Sequence, residues 1–483
     1  MMKRREFLAT TAFAIAAGAS AVSAPGMASA ERTPEVAPLR SHRPPPSQRR
    51  FVSQAVEKTI RTVSAKIADP ELAWIFQNCY PNPLDTTVDF TVANGRPDTF
   101  VITGDIPAMW LRDTMYQMWP YLPLARHDPH LRTMIQGVVH RMAQCVLIAP
   151  YAEAFLKTTR QKSIWQTDHT HMAPGVWEHK WEVDSLCAVI RLSFGYWQST
   201  GDTSPFDADW LTAMDRIVET FHVQQRLTGP GPYRFQRAAW NSTDTLPRGG
   251  LGFPAKPNGL IYTMFRPSDD AVIYPLHIPD NLLAAASLEH LASLYTVLKV
   301  DDKKIAACRQ FAATLRTAVA TFGVHPHPAI GKVYAYEVDG FGNAVFMDDA
   351  NWPGLLSLPY LGACRANDPI YQACRSLAWG SDNPYFFKGK FEGIGSIHTP
   401  SGNVWPLSLI MYGLTAASPK EVAWALRQLK LSSAGTGFMH ESFNCDNPAS
   451  FTRPWFAMAN VMFGELILHA AQHHPDILRQ ARI

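Results

Sequence analysis

The segment WEVDSLCAVIRLSFGYW, residues 181–197, carries the pattern that dominates this sequence. Its apolar residues recur at every third or fourth position and predict a helix with one buried face: Val183, Leu186, Ile190, Phe194 and Trp197. The same spacing predicts helices over much of the remaining chain, at residues 51–68, 113–126, 130–148, 206–224, 283–294, 302–321, 351–364, 403–416, 419–430 and 455–466.

Long segments rich in Trp, His, Asp and Asn separate the predicted helices. They include WQTDHTHMAPGVWEHK (165–180), AAWNSTDTLPRGG (238–250), NPYFFKGKFEGIGS (383–396) and TGFMHESFNCDNP (436–448). A short strand pair is expected at residues 333–338 and 344–347. Many helices joined by long polar loops predict an all-α toroid of helical hairpins, with the loops forming a site at one end. No linker divides the chain, so residues 51–483 are expected to form a single domain.

Composition excludes several classes of function. The formal net charge is only +3, with 44 Lys and Arg against 41 Asp and Glu, which argues against a nucleic-acid partner. The chain has no G-x-S-x-G nucleophile motif, phosphate-binding loop or dinucleotide fingerprint. Its seven cysteines are irregularly spaced without a CxxC pair, so no zinc site is expected from them.

The N-terminus has the features of an export signal. Paired arginines in Lys3-Arg4-Arg5 precede a weakly apolar run, and Ala28-Ser29-Ala30 fits a cleavage site. Residues 1–30 are therefore predicted to be a twin-arginine signal peptide; an ordinary Sec signal or a membrane anchor is the alternative. Residues 31–50 are expected to be a flexible Pro-rich lead-in. The mature protein is expected to be periplasmic or secreted, monomeric, and without stable membrane association.

The stretch TGDIPAMWLRDTMYQMWPYL, residues 103–122, places charges in an apolar, aromatic setting. Asp105, Arg112 and Asp113 lie in the middle of it, close to Trp110 and Trp119. Charged side chains in such a setting must be paired or bound to something. Carboxylates framed by tryptophans are typical of glycosidic-bond cleavage, in which one carboxyl donates a proton and another activates water or attacks. The alternative is a structural salt bridge at a helix start, with Asp113 as a cap.

Separated motifs in one order resemble those of glycoside hydrolase family 125. They are TGDIPAMWLRDT (103–114), FRPSDDA (265–271), IPDNLLA (278–284), GTGFMHESFN (435–444) and FTRPWFAMANVMFGELI (451–467). The resemblance implies an (α/α)6 barrel and an inverting exo-α-1,6-mannosidase that needs neither metal nor cofactor. It implies a mannose-containing oligosaccharide or glycan as substrate.

The resemblance also implies roles for individual residues. One aspartate of the pair Asp269 and Asp270 is the expected general acid, with Asp270 preferred, and Glu441 is the expected general base. The predicted substrate-binding residues are Trp110, Arg112, Asp113, Asp184, His440, Arg266 and Asn281. For Asp184 and its neighbour Glu182, at a predicted helix start, capping and sugar binding remain open alternatives.

Four competing hypotheses remain at this stage. The His-x-His of Asp168–His171 could bind a divalent metal. The enzyme could be another exo-glycosidase of the same fold, an α-glucosidase or a trehalase-like enzyme. A sugar isomerase or epimerase would need a central histidine pair, since the same fold hosts different chemistries. A mannoside-binding protein would keep the tryptophans but would not need an acid facing a base.

Overall fold

The computed structural model describes residues 39–481, so the predicted signal peptide lies outside the described residues. The chain divides into two compact units, Met1–Ser41 and His42–Ile483, and all elements below belong to the second. This boundary differs from the predicted one, because residues 42–50 of the expected lead-in belong to the second unit. Arg43 explains why: its guanidinium pairs with Asp85, at 2.7 Å, and with Glu57.

Helices form most of the second unit. Their bounds are α1 Gln54–Ser64, α2 Pro70–Cys79, α3 Asn82–Thr86, α4 Leu111–Met118, α5 Leu122–Ala125, α6 Pro129–Ile148, α7 Val183–Thr200, α8 Ala208–Gln224, α9 Pro247–Gly250, α10 Ile278–Val297, α11 Asp302–Phe322, α12 Pro369–Ala378, α13 Pro406–Leu414, α14 Pro419–Ser432, α15 Ala457–His473 and α16 Pro475–Leu478. Short 3₁₀ turns occur at Pro46–Gln48, Trp119–Tyr121 and Ser242–Asp244.

The helices pack in two layers. In the inner layer α4 lies between α7 and α15, α7 also contacts α10, and α15 also contacts α13. In the outer layer α11 packs on α10, α14 on α13, α2 on α15, and α6 on both α7 and α8. Of the inner helices, α10 and α15 are nearly apolar all round, as expected of helices covered on every side. The prediction of an all-α fold of the (α/α)6-barrel class is confirmed.

Short antiparallel strands fix the starts of the inner helices. The strands are β1 Val88–Ala93, β2 Arg96–Val101, β3 Met109–Trp110, β4 Ala154–Phe155, β5 Val176–Glu178, β6 Leu276–His277, β7 Val324–His327, β8 Gly331–Tyr334, β9 Glu337–Val338, β10 Ala344–Val345, β11 Phe386–Lys388, β12 Glu392–Ile394, β13 Asn403–Val404, β14 Phe443–Asn444 and β15 Asn447–Phe451. The sheet β3-β4-β5 matters most for the site. Because β3 leads directly into α4 and β5 ends just before α7, this sheet brings the two helix starts together.

Two local predictions need correction. Residues 351–364 form turns instead of a helix: Pro353 and Pro359 lack donors, and Asp348 accepts hydrogen bonds from the backbone of Leu355 and Leu356, at 2.7 and 2.9 Å. In the predicted strand pair β9 does pair with β10, but β8 pairs with β7 instead.

The two longest helices that the periodicity missed are α2 and α12. Both begin at an Asp-Pro dipeptide, in which Asp69 or Asp368 caps the helix and proline follows at its first position. That start signal is present in the sequence and could have located them.

No helix within residues 39–481 is long and apolar enough to cross a bilayer.

Candidate active site

The starts of α4 and α7 carry the first group of charged residues. Arg112 and Asp113 lie in the first turn of α4, and Asp184 lies in the first turn of α7, two positions after Glu182. The positive end of a helix dipole favours carboxylates at these positions. Because both helices start from one sheet, the four side chains meet in space although they are about seventy residues apart in sequence.

Arg112 is surrounded by carboxylates in what we call the Arg112 cluster: Arg112, Asp113, Glu182, Asp184 and Asp269. Its Nη1 contacts Glu182 Oε2 at 2.6 Å and Asp184 Oδ2 at 3.1 Å, and its Nη2 contacts Asp269 Oδ1 at 3.1 Å. The predicted partner Asp113 is farther away, with its Oδ2 3.8 Å from Nε. The expected Arg-Asp pair is therefore corrected to one cation shared among four carboxylates.

The Arg112 cluster has more carboxylates than its one cation can neutralise. Burial, only partly opposed by Arg112, raises the pKa of Asp113 to about 6 and that of Asp184 to about 7. Burial also raises the pKa of Glu182 well above its ordinary value. The pKa of Arg112 itself is raised, since the surrounding carboxylates outweigh its own burial. The cluster therefore holds protons close to neutral pH.

A second group, the Arg453 cluster, comprises Arg453, Glu441, Thr452 and Asp105. The Arg453 guanidinium binds Asp105 through two nitrogens and donates from Nη1 to Glu441 Oε1 at 3.3 Å. The Thr452 hydroxyl donates to Glu441 Oε2 at 2.9 Å. Both oxygens of the predicted base are thus oriented by donors from the strand-end segment 452–453.

Gly104 allows the Asp105 loop to approach this cluster. Its φ of +122° suits only glycine, and a Cβ there would lie 3.2 Å from the Trp455 ring. The glycine before Asp105 is therefore required by both backbone conformation and space. This explains why the charged residue Asp105 can reach Arg453 beside an aromatic ring.

Residues 268–270, which we call the SDD loop, contain two aspartates in different surroundings. The Asp270 carboxylate accepts from the Thr243 hydroxyl at 2.6 Å, lies 3.0 Å from His398 Nδ1, and is 4% exposed. The Asp269 side chain contacts Arg112 and is 15% exposed. Asp269 also has a left-handed backbone with φ of +67°, an uncommon conformation for a residue other than glycine that is often found at functional sites.

Asp113 links the two clusters electrostatically. The guanidinium groups of both Arg112 and Arg453 stabilise its carboxylate, whereas Asp269 and Asp184 oppose its ionisation. Asp113 therefore lies within electrostatic range of both cations, Arg112, which contacts Asp269, and Arg453, which contacts Glu441. With exposed fractions of 15% and 12%, these two carboxyl side chains reach solvent more than that of Asp270 does.

A third group of contacts, around Lys180, holds the SDD loop in place. The fully buried ammonium of Lys180 donates to the backbone oxygen of Asp269 at 2.6 Å and to Asp244 Oδ1 at 2.8 Å. Asp244 belongs to the segment whose Thr243 binds Asp270. Lys180 therefore ties the SDD loop to its neighbouring loop and fixes the unusual backbone of Asp269.

The loop considered as a metal site has other partners. Arg237 binds Asp168 through two nitrogens, one at 2.9 Å, and donates to Glu178 Oε1 at 2.6 Å. Burial lowers the pKa of His179 to about 4, and its Nδ1 lies 2.7 Å from the Thr170 hydroxyl. Within residues 39–481 no group of three or more His, Cys, Asp or Glu side chains is arranged to hold a metal ion. The geometry supports a structural role for Asp168.

Two predicted substrate contacts, His440 and Asn281, are fully buried. The His440 ring stacks on Phe451 and lies 3.0 Å from the Arg453 backbone oxygen, while the Asn281 amide bonds the backbone of Ile261 in both directions. These bonds hold loops in place, and the assignment of both residues to the substrate stays a prediction.

Two further predicted contacts are also buried. Arg266 is 1% exposed, donates from Nε to Glu337 at 2.6 Å, and through its backbone N–H bonds the Asp270 carbonyl. It shapes the SDD loop. Trp110 is 4% exposed and packs in a small apolar cluster with Leu156 and Trp177 beneath the loops. Its position supports the first turn of α4, and its assignment to the substrate stays a prediction.

Several residues of the site were not predicted. Arg453 lies in the FTRPW motif and Lys180 ends the segment WEHK, so both were within quoted stretches, but neither pattern indicates a partner hundreds or tens of residues away. Thr243 and His398, which hold Asp270, carry no local signal. Only a fold with known loop contacts reveals them.

Comparison with known proteins gives a consistent result. Residues 69–468 match the family of metal-independent α-mannosidases, GH125. The chain is 41% identical over 469 residues to the meiotically up-regulated gene 157 protein of Schizosaccharomyces pombe, with 92% of each protein covered. It is 39% identical to a metal-independent α-mannosidase of Streptococcus pneumoniae solved in a non-productive complex with α-1,6-mannobiose. That match has a TM-score of 0.84 and covers 88% of this chain and all of the other.

These matches decide between the hypotheses drawn from the sequence. They confirm a glycoside hydrolase acting on α-mannosides and give no support to an isomerase or a binding protein. The resemblance noted in four separate motifs extends over nearly the whole of the second unit. The chain belongs to glycoside hydrolase family 125, the metal-independent α-mannosidases.

Proposed function

We propose that this α-mannosidase removes terminal, non-reducing α-1,6-linked mannose from oligosaccharides or glycans, with inversion and without a metal. The Streptococcus pneumoniae relative, which binds α-1,6-mannobiose, supports the linkage. The observation that carries the proposal is that Asp269 and Glu441 contact two different cations, Arg112 and Arg453, both of which act on the carboxylate of Asp113. Two carboxyl groups flanking a polar site are what an inverting hydrolysis requires.

Asp269 is the proposed general acid, in place of the preferred Asp270. Its side chain is the more exposed of the two and lies among carboxylates that hold protons near neutral pH. Asp270 already has a partner at each oxygen, Thr243 and His398, and positions the loop. Asp269 gives its proton to the glycosidic oxygen as the bond from that oxygen to C1 breaks.

Glu441 is the proposed general base. Thr452 and Arg453 hold its two oxygens, so that the carboxylate faces the attacking water in a fixed orientation. Water adds to C1 from the face opposite the leaving oxygen and passes one proton to Glu441. The product is then the β-anomer of mannose.

Arg112 and Asp113 are proposed to bind hydroxyls of the terminal sugar. At this spacing the guanidinium can donate to one hydroxyl group while the carboxylate accepts from its neighbour. The buried surplus of carboxylates around Arg112 closes this end of the site, which is consistent with removal of a terminal residue only.

We also propose export through the twin-arginine pathway and a monomeric mature enzyme. The support is the sequence of residues 1–30 alone. Replacing Arg4 and Arg5 by lysine should retain the uncleaved precursor in the cytoplasm, as measured by fractionation and N-terminal sequencing. Unchanged export of that variant would contradict the proposal. Light scattering of the mature protein would reveal a dimer.

The experiment that tests the function compares mannobioses of different linkage, with EDTA in parallel. We expect α-1,6-mannobiose to be cleaved best, β-mannose to appear first by proton NMR, and EDTA to have no effect. Initial α-mannose would contradict inversion. Faster cleavage of the α-1,2 or α-1,3 isomer, or of an α-glucoside, would contradict the assigned linkage or sugar.

A further inference from the structure

The loop 237–247 combines a fixed base with a strongly exposed aromatic tip. Residues 238–242 are all exposed, and among them the Trp240 side chain is 94% exposed. A single exposed apolar residue on a protein surface needs no explanation by itself. Trp240 differs from such a residue in where its loop is attached.

Both ends of the loop are held in place by their contacts, and the second end is bonded to the active site. At one end Arg237 is buried, with Asp168 and Glu178 as its ion-pair partners. At the other end the Thr243 hydroxyl donates to Asp270, and the Thr243 carbonyl accepts from the backbone of Ala271 at 2.7 Å. The loop is thus bonded directly to the segment that carries the proposed general acid.

The short distance along the chain keeps Trp240 close to the segment that carries Asp269 and Asp270. Trp240 is three positions before Thr243, so their Cα atoms are at most about 11 Å apart. The terminal sugar is assigned to the buried Arg112 cluster, so the space toward solvent must take the remainder of the substrate. The Trp240 side chain extends into solvent, with 94% of its surface exposed.

We infer that Trp240 is a specificity-determining residue that stacks on a hexose ring of the leaving group. An indole is a rigid surface that gains free energy when its apolar face is covered, and sugar rings present apolar C–H faces. The inference rests on the proposed function and adds a binding site for the sugars beyond the cleaved bond. The enzyme would therefore favour longer mannosides over substrates with a small leaving group.

The test measures kcat/KM for three substrates: α-mannosyl fluoride, which has no leaving sugar, α-1,6-mannobiose, and linear α-1,6-mannotriose. We expect Trp240→Ala to stay within about twofold of the wild type on the fluoride and to lose roughly tenfold on mannotriose, the kinetic equivalent of about 1.4 kcal/mol. Trp240→Phe should retain most of the mannotriose activity. Because Trp240 is 94% exposed, neither change disturbs the core.

Val297→Ala is the matched control. Val297 is an exposed apolar residue at the end of α10, roughly 30 Å along the helix from its start at the site. The Val297→Ala variant should have the wild-type kcat/KM on all three substrates. Equal activity of Trp240→Ala and wild type on mannotriose would overturn the inference. Equal loss on all three substrates would also overturn it, since Trp240 would then act on the catalytic loop. Failure of the proposed function itself would appear separately, as a wild-type enzyme that does not cleave α-1,6-mannobiose.

Discussion

The Arg112 cluster and the Arg453 cluster use the same residue types in different proportions of carboxylate to cation. Arg112 is buried beside four carboxylates, and two of these, Asp113 and Asp184, have a pKa raised to about 6 and about 7. Arg453 has only two carboxylate partners, and Asp105 is 38% exposed. The Arg112 cluster therefore favours protonated carboxyl groups, whereas the Arg453 cluster holds the Glu441 carboxylate between two donors, Thr452 and Arg453.

This difference matches the two tasks of a glycosidase. A general acid must arrive at the reaction with its proton, and a surplus of buried carboxylates favours that. A general base must be ionised and oriented, and donors from Thr452 and Arg453 orient Glu441. The same pair of residue types therefore serves two roles because the local charge count and burial differ.

The largest effect is expected from removing the central cation of each cluster. Arg112→Met leaves four buried carboxylates without their cation, so we expect a loss of roughly 3–5 kcal/mol in unfolding free energy together with loss of activity. Arg453→Met should lose less, because Asp105 can reach solvent. Urea unfolding at pH 7 measures both.

Arg112→Lys is the control for charge alone. It keeps a cation but loses the planar fork that contacts three carboxylates. It should recover part of the stability and little of the activity. Equal destabilisation by Arg112→Met and Arg453→Met would show that the difference in charge balance has no energetic consequence.

Asp113→Asn is expected to affect catalysis more than folding. Arg112 keeps its closer partners Glu182, Asp184 and Asp269, so it is not left uncompensated. The loss of a charge-assisted contact with the sugar should reduce kcat/KM by an amount equivalent to roughly 2–4 kcal/mol. Steady-state kinetics on α-1,6-mannobiose with the folded variant measures it. Normal kcat/KM would make Asp113 a structural residue of the helix start.

The smallest effect concerns the pH dependence of stability. Burial raises the pKa of Asp113 to about 6, so its ionisation disfavours the folded state. The protonated Asp113 side chain therefore stabilises the folded state fully when the pH is below the ordinary pKa of aspartate. This stabilisation is lost as the pH rises through the pKa that Asp113 has in the folded state. The unfolding free energy of Asp113→Asn relative to wild type should therefore increase from pH 4 to pH 7, by about 1–3 kcal/mol. A relative stability that falls over this range would contradict the charge surplus.

Much of the fold could be predicted because long apolar helices have a clear period. The helices α7, α10, α11 and α15 lie where the spacing placed them. The prediction of a helix at residues 351–364 was wrong because apolar spacing does not show the hydrogen bonds that Asp348 accepts from the backbone, or the donors that two prolines lack. α2 lacks a single apolar stripe, and its start at Asp69-Pro70 was the better signal.

The candidate site was predicted in its residues more than in its contacts. Arg112 and Asp269 are in contact in the structure, and Glu441 contacts Arg453. The sequence does not indicate how deeply a loop residue is buried, so the burial of His440 and Asn281 could not be predicted. It also does not indicate that Arg453 would meet Asp105 across 348 positions of the chain. Those partners depend on how the helices close into a ring.

The most direct test of the central claim separates the acid from the base with two leaving groups. Asp269→Asn and Glu441→Gln are each assayed on α-1,6-mannobiose and on 2,4-dinitrophenyl α-mannoside, whose leaving group needs no proton. We expect both variants to lose on the order of 10³ in kcat on mannobiose. On the activated substrate Asp269→Asn should recover to near the wild-type rate, while Glu441→Gln should stay impaired, because water still needs a base. Recovery of the Glu441→Gln variant would contradict the assignment of Glu441 as the general base. Recovery of Asp270→Asn in place of Asp269→Asn would contradict the assignment of Asp269 as the general acid.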